Sequence, residues 1–125
     1  MRNLLFFRNA EIKTTAGAIS LFSQGSAKIE MKAGKIDFTN GIGVQTAGGG
    51  KVILDGVSIT GGGSLVTNTG RHSEDSALNM LQGGGFIIFQ KGSINVINTH
   101  GLSLQGNDNN TAHIKLHCYG KESSI

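Results

Sequence analysis

Short segments in which apolar and polar residues alternate recur along the chain. Residues 28–38 read KIEMKAGKIDF, two alternating apolar pairs separated by a short turn that contains glycine. Residues 87–96, IIFQKGSINV, repeat this pattern at the same spacing, and residues 51–60, KVILDGVSIT, repeat it with a turn two residues shorter. Alternation with a period of two predicts half-buried β-strands, so each segment contains two of them.

The segments form a sequence repeat. Measured from the first apolar pair, the unit starts at Ile29, Val52, Ile87 and Ile114, with steps of 23, 35 and 27 residues. Residues 12–21 fit a partial earlier unit. The long step contains the polar stretch 67–76, which indicates a loop inserted into a basic period of about 23 residues.

A third apolar pair follows each of these units. The pairs are Ile42/Val44 and Leu102/Leu104, and Leu65 is the candidate in the middle unit. Three short strands per unit, with glycine, asparagine and serine between them, are typical of a parallel β-helix. The prediction is an all-β solenoid of about four coils, with three short strands per coil.

The predicted organisation has three parts: an N-terminal extension (1–9), β-helix repeats (10–118) with an inserted loop at 67–76, and a C-terminal tail (119–125). The leucine-rich repeat is the competing solenoid, but only residues 102–107, LSLQGN, resemble its consensus. In a β-helix, alternate side chains of each strand point into the interior. The predicted interior ladders are therefore Ile29/Met31, Ile36/Phe38, Val52/Leu54, Val57/Ile59, Ile87/Phe89, Ile94/Val96 and Ile114/Leu116.

Composition agrees with this fold class. The 125 residues include 20 glycines, a density that disfavours a helical bundle, and the length suits one small domain. The glycine triplets at 48–50, 61–63 and 83–85 lack the spacing of a phosphate-binding loop. They predict tight corners, where the backbone has positive φ or where close stacking leaves no room for a side chain.

The net charge is +3, and the basic excess lies in residues 1–35, which hold six basic and two acidic residues. With three arginines, one tyrosine and no tryptophan, the chain is not expected to bind nucleic acid. The apolar run near Met1 is shorter than the roughly 7–15 residues of a secretory signal. No stretch approaches the roughly 18 apolar residues of a membrane span, so this chain alone is expected to carry no export signal or membrane anchor.

Two residue types invite a metal-site interpretation, but neither supports one. His113 and His117 share one strand face, yet Lys115 stands between them and no carboxylate is near in sequence. Cys118 is the only cysteine. It follows the interior positions Ile114 and Leu116 at the same two-residue spacing, so it is expected on the same strand face with a buried thiol. No metal or cofactor is expected.

Two groups of residues are of the types that enzymes use in catalysis: the polar loop and three dispersed carboxylates. Neighbouring residues of one loop cannot hold a catalytic triad in fixed geometry, so the polar loop is interpreted instead as a surface for recognition. Its residues are Arg71, His72, Ser73, Glu74, Asp75 and Ser76. The dispersed carboxylates Glu30, Asp37 and Asp55 leave a polysaccharide-active β-helix enzyme as an alternative, because such enzymes use a pair of acidic groups. The chain is expected not to be an enzyme.

Residues 27–60, above all KIEMKAGKIDFTNGIGV (28–44) and GGKVILDGVSIT (49–60), resemble the passenger region of pertactin-like bacterial autotransporters. The resemblance continues more weakly through residues 85–107, and filamentous haemagglutinin-type proteins share it. It implies a surface-displayed or secreted adhesin, a virulence factor that contacts a host cell-surface or extracellular-matrix component. Because the resemblance concerns the repeat alone, it assigns no site residue.

Autotransporters begin with a secretion signal and end in a membrane β-barrel translocator, and the 125 residues contain neither. The chain is therefore expected to be a fragment, either one piece of a split gene or its nonfunctional remnant. A stack of about four coils exposes two apolar ends unless they are capped. Self-association through uncapped ends is accordingly predicted.

Overall fold

The computed structural model describes residues 4–15, 17–63, 75–81, 83 and 85–104, and the backbone of 113–117. All the regular structure in these ranges is β-strand. The strands are β1 (Leu4–Thr14), β2 (Ile19–Gln24), β3 (Lys28–Thr39), β4 (Ile42–Ala47), β5 (Lys51–Gly62), β6 (Ser76–Met80), β7 (Phe86–Gln90), β8 (Ser93–Ile97), β9 (His100–Leu104) and β10 (His113–His117). The expectation of an all-β chain is confirmed for this part.

The strands form two sheets in which every pairing is parallel. Sheet A has the order β1-β3-β5-β7-β10, with β8 also paired to β5, and sheet B has the order β2-β4-β6-β9. From β1 to β6 the chain alternates between the two sheets. Each visit to a sheet adds a strand beside the one laid down on the previous visit.

The pairing register confirms the predicted repeat. Ile29 is in register with Val52, Val52 with Ile87, and Ile87 with Ile114. The steps of 23, 35 and 27 residues therefore each correspond to one strand position in sheet A. A parallel ladder requires this match, because a slip of one residue would turn every apolar side chain to the other face.

The predicted interior ladders are also confirmed where side chains are described. The interior residues of β3, β5 and β7 are almost inaccessible to solvent, and so is Ile94 of β8. Val96 is half-buried and packs against the same core. The side chains of Ile114 and Leu116 lie outside the described part of the structure.

The third strand of the middle unit differs from the expectation. Leu65 is outside the described residues, and Leu78 occupies the position in register with Val44 and Leu102. The inserted segment thus precedes the third strand of its unit. Leu78 and Met80 alternate with the polar Asn79 as in a strand, and Ala77 and Asn79 on the other face are buried as well.

Two short strands of each unit join into one long strand in β1, β3 and β5. A sharp bend marks each join, and its residues have positive φ: Asn9, Ala33 and Gly56, with Lys91 at the equivalent point between β7 and β8. The left-handed conformation turns the chain while parallel pairing continues on both sides. Residues 4–9 of the predicted extension form the first part of β1, because Leu5 and Phe7 continue the ladders of Ile29 and Met31.

Glycines fill another row of bends, as the triplets at 48–50 and 83–85 predict. Gly48 and Gly83 have positive φ and lie against one another, so a Cβ on Gly83 would be 2.6 Å from the Cα of Gly48. Gly61 behaves differently, because it lies within β5. A Cβ there would be 2.6 Å from the ring of Phe38, so its missing side chain makes room for that ring.

Candidate functional site

The two ends of the inserted segment meet at one corner of the fold. Gly63, which follows β5, donates its N–H to the carbonyl of Ile97. Asp75 lies beside it, since a Cβ built on Gly63 would be 3.0 Å from Oδ2 of Asp75. The described residues that flank the insertion, Gly63 and Asp75, therefore lie close together.

The predicted recognition loop divides into two parts. Arg71, His72, Ser73 and Glu74 lie outside the described residues, as do positions 67–70 and the predicted tail. Asp75 and Ser76 are buried, at 5% and 0% relative exposure. Their side chains are therefore not available to a partner as the structure stands.

The backbone of these two residues anchors the returning chain. The carbonyl of Asp75 accepts a hydrogen bond from the N–H of His100 (3.1 Å), and Ser76 donates to the carbonyl of Gly41 (3.2 Å). Ser76 is the first residue of β6 and pairs with Ile42. Asp75 and Ser76 thus start β6 between its two neighbouring strands.

The three carboxylates of the enzyme alternative do not form one cluster. Glu30 forms an ion pair with Lys28 (2.8 Å) on the first part of β3. Asp37 lies beyond the bend of β3, where its Oδ1 accepts a hydrogen bond from Thr60 (3.2 Å). Asp55 is in register with Lys32. Asp37 stands apart from the other two, whereas Asp55 is the diagonal neighbour of Glu30 on the outer face of the paired strands β3 and β5.

The histidines of β10 are placed by their backbone. His113 is in register with Phe86 and His117 with Gln90, at the edge of sheet A. Cys118 lies outside the described residues. Within the part of the chain that the structure describes, no group of three or more histidine, cysteine, aspartate or glutamate residues is placed to hold a metal ion.

Among the described basic residues of the N-terminal region, Arg8, Lys28 and Lys32 lie on the outer face of sheet A. Arg8 and Lys32 are neighbours in register, and so are Lys28 and Lys51. Arg8 lies over the ring of Phe6, 5.9 Å from its centroid, and Lys51 lies in the same way over Phe86. Glu30 and Asp55 share this face, so it carries mixed charge on a partly aromatic surface.

Sheet B contains buried polar side chains that sequence reasoning did not identify. Gln45 and Asn79 are register neighbours, and alternation places both on the face opposite to Val44 and Leu78. They are 5% and 0% exposed, and Oε1 of Gln45 and both amide atoms of Asn79 have no hydrogen-bond partner. An amide buried without a partner costs about 1–3 kcal/mol. Alternation alone would have placed both on a solvated face.

The chain matches no protein-family model, no curated protein and no solved structure. Among the described residues there is no helix of the length and apolarity needed to cross a membrane.

Proposed function

We propose that the chain is a segment of a parallel β-helix of about four coils, with three short strands per coil. Three rows of bends support this proposal. One row contains Asn9, Ala33 and Gly56, a second Gly17 and Asn40, and a third Gly25 and Gly48, all with positive φ. The first row lies within the long strands of sheet A, the second follows those strands, and the third follows the strands of sheet B. The three bends divide each repeat into three straight runs, as a triangular coil requires.

The proposed activity is adhesive, with the coil acting as a rigid scaffold for contacts with a host cell-surface or extracellular-matrix component. The in-register apolar ladder is the observation that carries this proposal. The inward side chains of each repeat serve to pack one repeat on the next, so the outward side chains and the insertion can differ in sequence and make contacts. By its resemblance the chain belongs to the passenger region of a pertactin-like autotransporter. In full-length members of that family the region is displayed at the outer membrane or released as a virulence factor.

A non-catalytic role fits the outer wall better than polysaccharide cleavage does. Acid and base groups of glycosidases lie about 5–9.5 Å apart across the scissile bond. Glu30 is paired with Lys28, while Asp37 is on the other side of the bend and hydrogen-bonded to Thr60. Glu30 and Asp55 are diagonal neighbours, but they lie on the outer face of a sheet with Lys28 paired to Glu30 and Lys32 in register with Asp55, so they belong to a surface of mixed charge.

The proposed contact residues of the adhesin are Arg71, His72, Ser73 and Glu74 of the insertion. Replacing Arg71 and Glu74 together by alanine keeps the net charge, and it leaves the buried anchors Asp75 and Ser76 in place. We expect this variant to fold normally and to bind cultured host cells or immobilised matrix at least about tenfold more weakly, the effect of roughly 1.4 kcal/mol.

The matched control removes one cation and one anion from the outer wall. Lys32→Ala with Asp55→Ala changes two register neighbours on sheet A. Binding should remain at the level of the unsubstituted chain in this control. Equal binding by all three proteins would exclude the insertion as the contact site, and binding by none would favour a nonfunctional remnant.

A further inference from the structure

Exposed apolar side chains are confined to the outermost strands of the fold. Among the described residues, the large hydrophobic side chains with more than a third of their surface exposed are Leu4, Leu5 and Phe6 of β1, Ile19 and Phe22 of β2, Ile97 of β8, and Leu102 and Leu104 of β9. The inner strands β3 to β7 contain none. The apolar surface that remains uncovered therefore lies at the two ends of the stack.

The end formed by β1 has the features of a pairing edge. β1 is 11 residues long, and among the described strands it pairs in sheet A only with β3. Its exposed residues Leu4, Leu5 and Phe6 are 46%, 52% and 49% accessible. Proteins that avoid edge pairing use short edges, proline or inward-pointing charges. β1 has no proline, and its charged residues Arg8, Glu11 and Lys13 occupy outward positions.

We propose that β1 pairs antiparallel with β1 of a second copy of this chain, around a two-fold axis at its bend. The inward side chains flank the bend symmetrically, with Phe7 and Ala10 next to it and Leu5 and Ile12 further out. An axis between Arg8 and Asn9 places Leu5 of one copy opposite Ile12 of the other, and Phe7 opposite Ala10. Interior residues then meet interior residues, and the two cores become continuous.

The outward side chains are compatible with the same register. Phe6 comes to lie opposite Glu11 of the second copy, and Leu4 opposite Lys13. The diagonal neighbour of Arg8 is Glu11 of the second copy, a pairing of opposite charges within reach of these long side chains. Ile19 and Phe22 of β2 lie at the same end of the stack and add apolar area to the contact.

Head-to-tail stacking fits the described strands less well. β1 runs unbroken across both parts of sheet A, from Leu4 to Thr14. At the opposite end, sheet A continues to β10 beyond β7, whereas β8 has only β5 as its described partner. Within the described strands, the two ends therefore differ by one strand in sheet A. A two-fold contact joins identical ends and closes after two copies.

Cysteine cross-linking tests the register directly. Two full-length chains are prepared in a Cys118→Ser background, one with Phe6→Cys and the other with Glu11→Cys, and they are mixed under mild oxidation. We expect a disulfide-linked dimer in the mixture only, because residues opposite one another in an antiparallel pair have Cα atoms about 4.5–5.5 Å apart. In a dimer of two identical variants, the two introduced cysteines lie several residues apart along the paired β1 strands and cannot form a disulfide.

The matched control replaces Glu11→Cys by Lys35→Cys, at the register position next to Glu11 on the inner strand β3. Mixed with the Phe6→Cys chain, it should give no cross-link. Cross-links in the single-variant samples or in this control would show unspecific contact and overturn the proposal.

Sedimentation equilibrium supplies a second readout. The unsubstituted chain should approach twice the 13.0 kDa chain mass as concentration rises. Leu5→Lys, which aims a charge at the interior of the contact, should shift the dimer dissociation constant upward at least about tenfold. An unsubstituted chain that stays monomeric throughout would contradict the proposal without bearing on the adhesive function.

Discussion

Replacing Gly50 by alanine will unfold the chain or lower its free energy of unfolding by about 3 kcal/mol or more, a large effect for one methyl group. Gly50 is buried where residues 47–51 turn from β4 into β5. A Cβ there would collide with the backbone carbonyl of Ser23 and lie 2.8 Å from the N of Gln24. These are backbone atoms of the neighbouring repeat, so the clash is relieved only if the two repeats separate.

Gly101→Ala is the matched control. No atom lies within 4 Å of a Cβ built on Gly101, and its φ is not positive. Its free energy of unfolding should stay within about 0.5 kcal/mol of the unsubstituted chain. Urea unfolding followed by circular dichroism gives both values, and equal effects at the two positions would contradict close stacking at Gly50.

Leu54→Ala will cost about 2–5 kcal/mol, the range for deleting a buried leucine side chain. Leu54 is fully buried and stands in register between Met31 and Phe89. Its loss leaves a cavity in the middle of one interior ladder. The strands on either side are fixed by backbone pairing, so they cannot close the gap completely.

The neighbouring residue provides the control for this ladder. Ile53 points to the outer face and is half-buried. Ile53→Ala should cost about 1 kcal/mol or less, because much of its surface meets solvent in the folded chain. If urea unfolding gives the larger loss at Ile53, the assignment of interior and exterior faces in β5 is wrong.

The sequence was sufficient to predict the interior ladders of sheet A. Ile29, Val52 and Ile87 recur in short segments that alternate with a period of two, and parallel pairing without gaps within a strand preserves that alternation. The bend positions could be predicted only in part. Gly56 is a sequence signal for positive φ, whereas Ala33 and Lys91 adopt the same conformation because the adjoining strands require it.

Sheet B was harder to predict, for two physical reasons. An insertion can enter on either side of a strand at little cost in loop entropy, so period alone did not separate Leu65 from Leu78. Gln45 and Asn79 are polar residues on the face opposite to the apolar ladder and yet are buried. Alternation predicts which face a side chain occupies, but it does not predict what covers that face.

The most direct test of the stacked fold is a disulfide across the long repeat. Ser58 and Ser93 are 35 residues apart in sequence, yet their hydroxyl oxygens lie 3.0 Å apart on an exposed face of β5 and β8. In a Cys118→Ser background, Ser58→Cys with Ser93→Cys should form an intramolecular disulfide under mild oxidation. Both thiols should then resist alkylation, and the denatured protein should still have the mass of a single chain.

Lys35→Cys with Ser93→Cys is the control, because Lys35 is in register with Ser58 and therefore stands two strand positions from Ser93. At about 4.8 Å per strand, this pair is beyond the reach of a disulfide. The account predicts oxidation of the first pair and free thiols in the second. Free thiols in both, or equal oxidation of both, would contradict the stacking of repeats in register across the insertion.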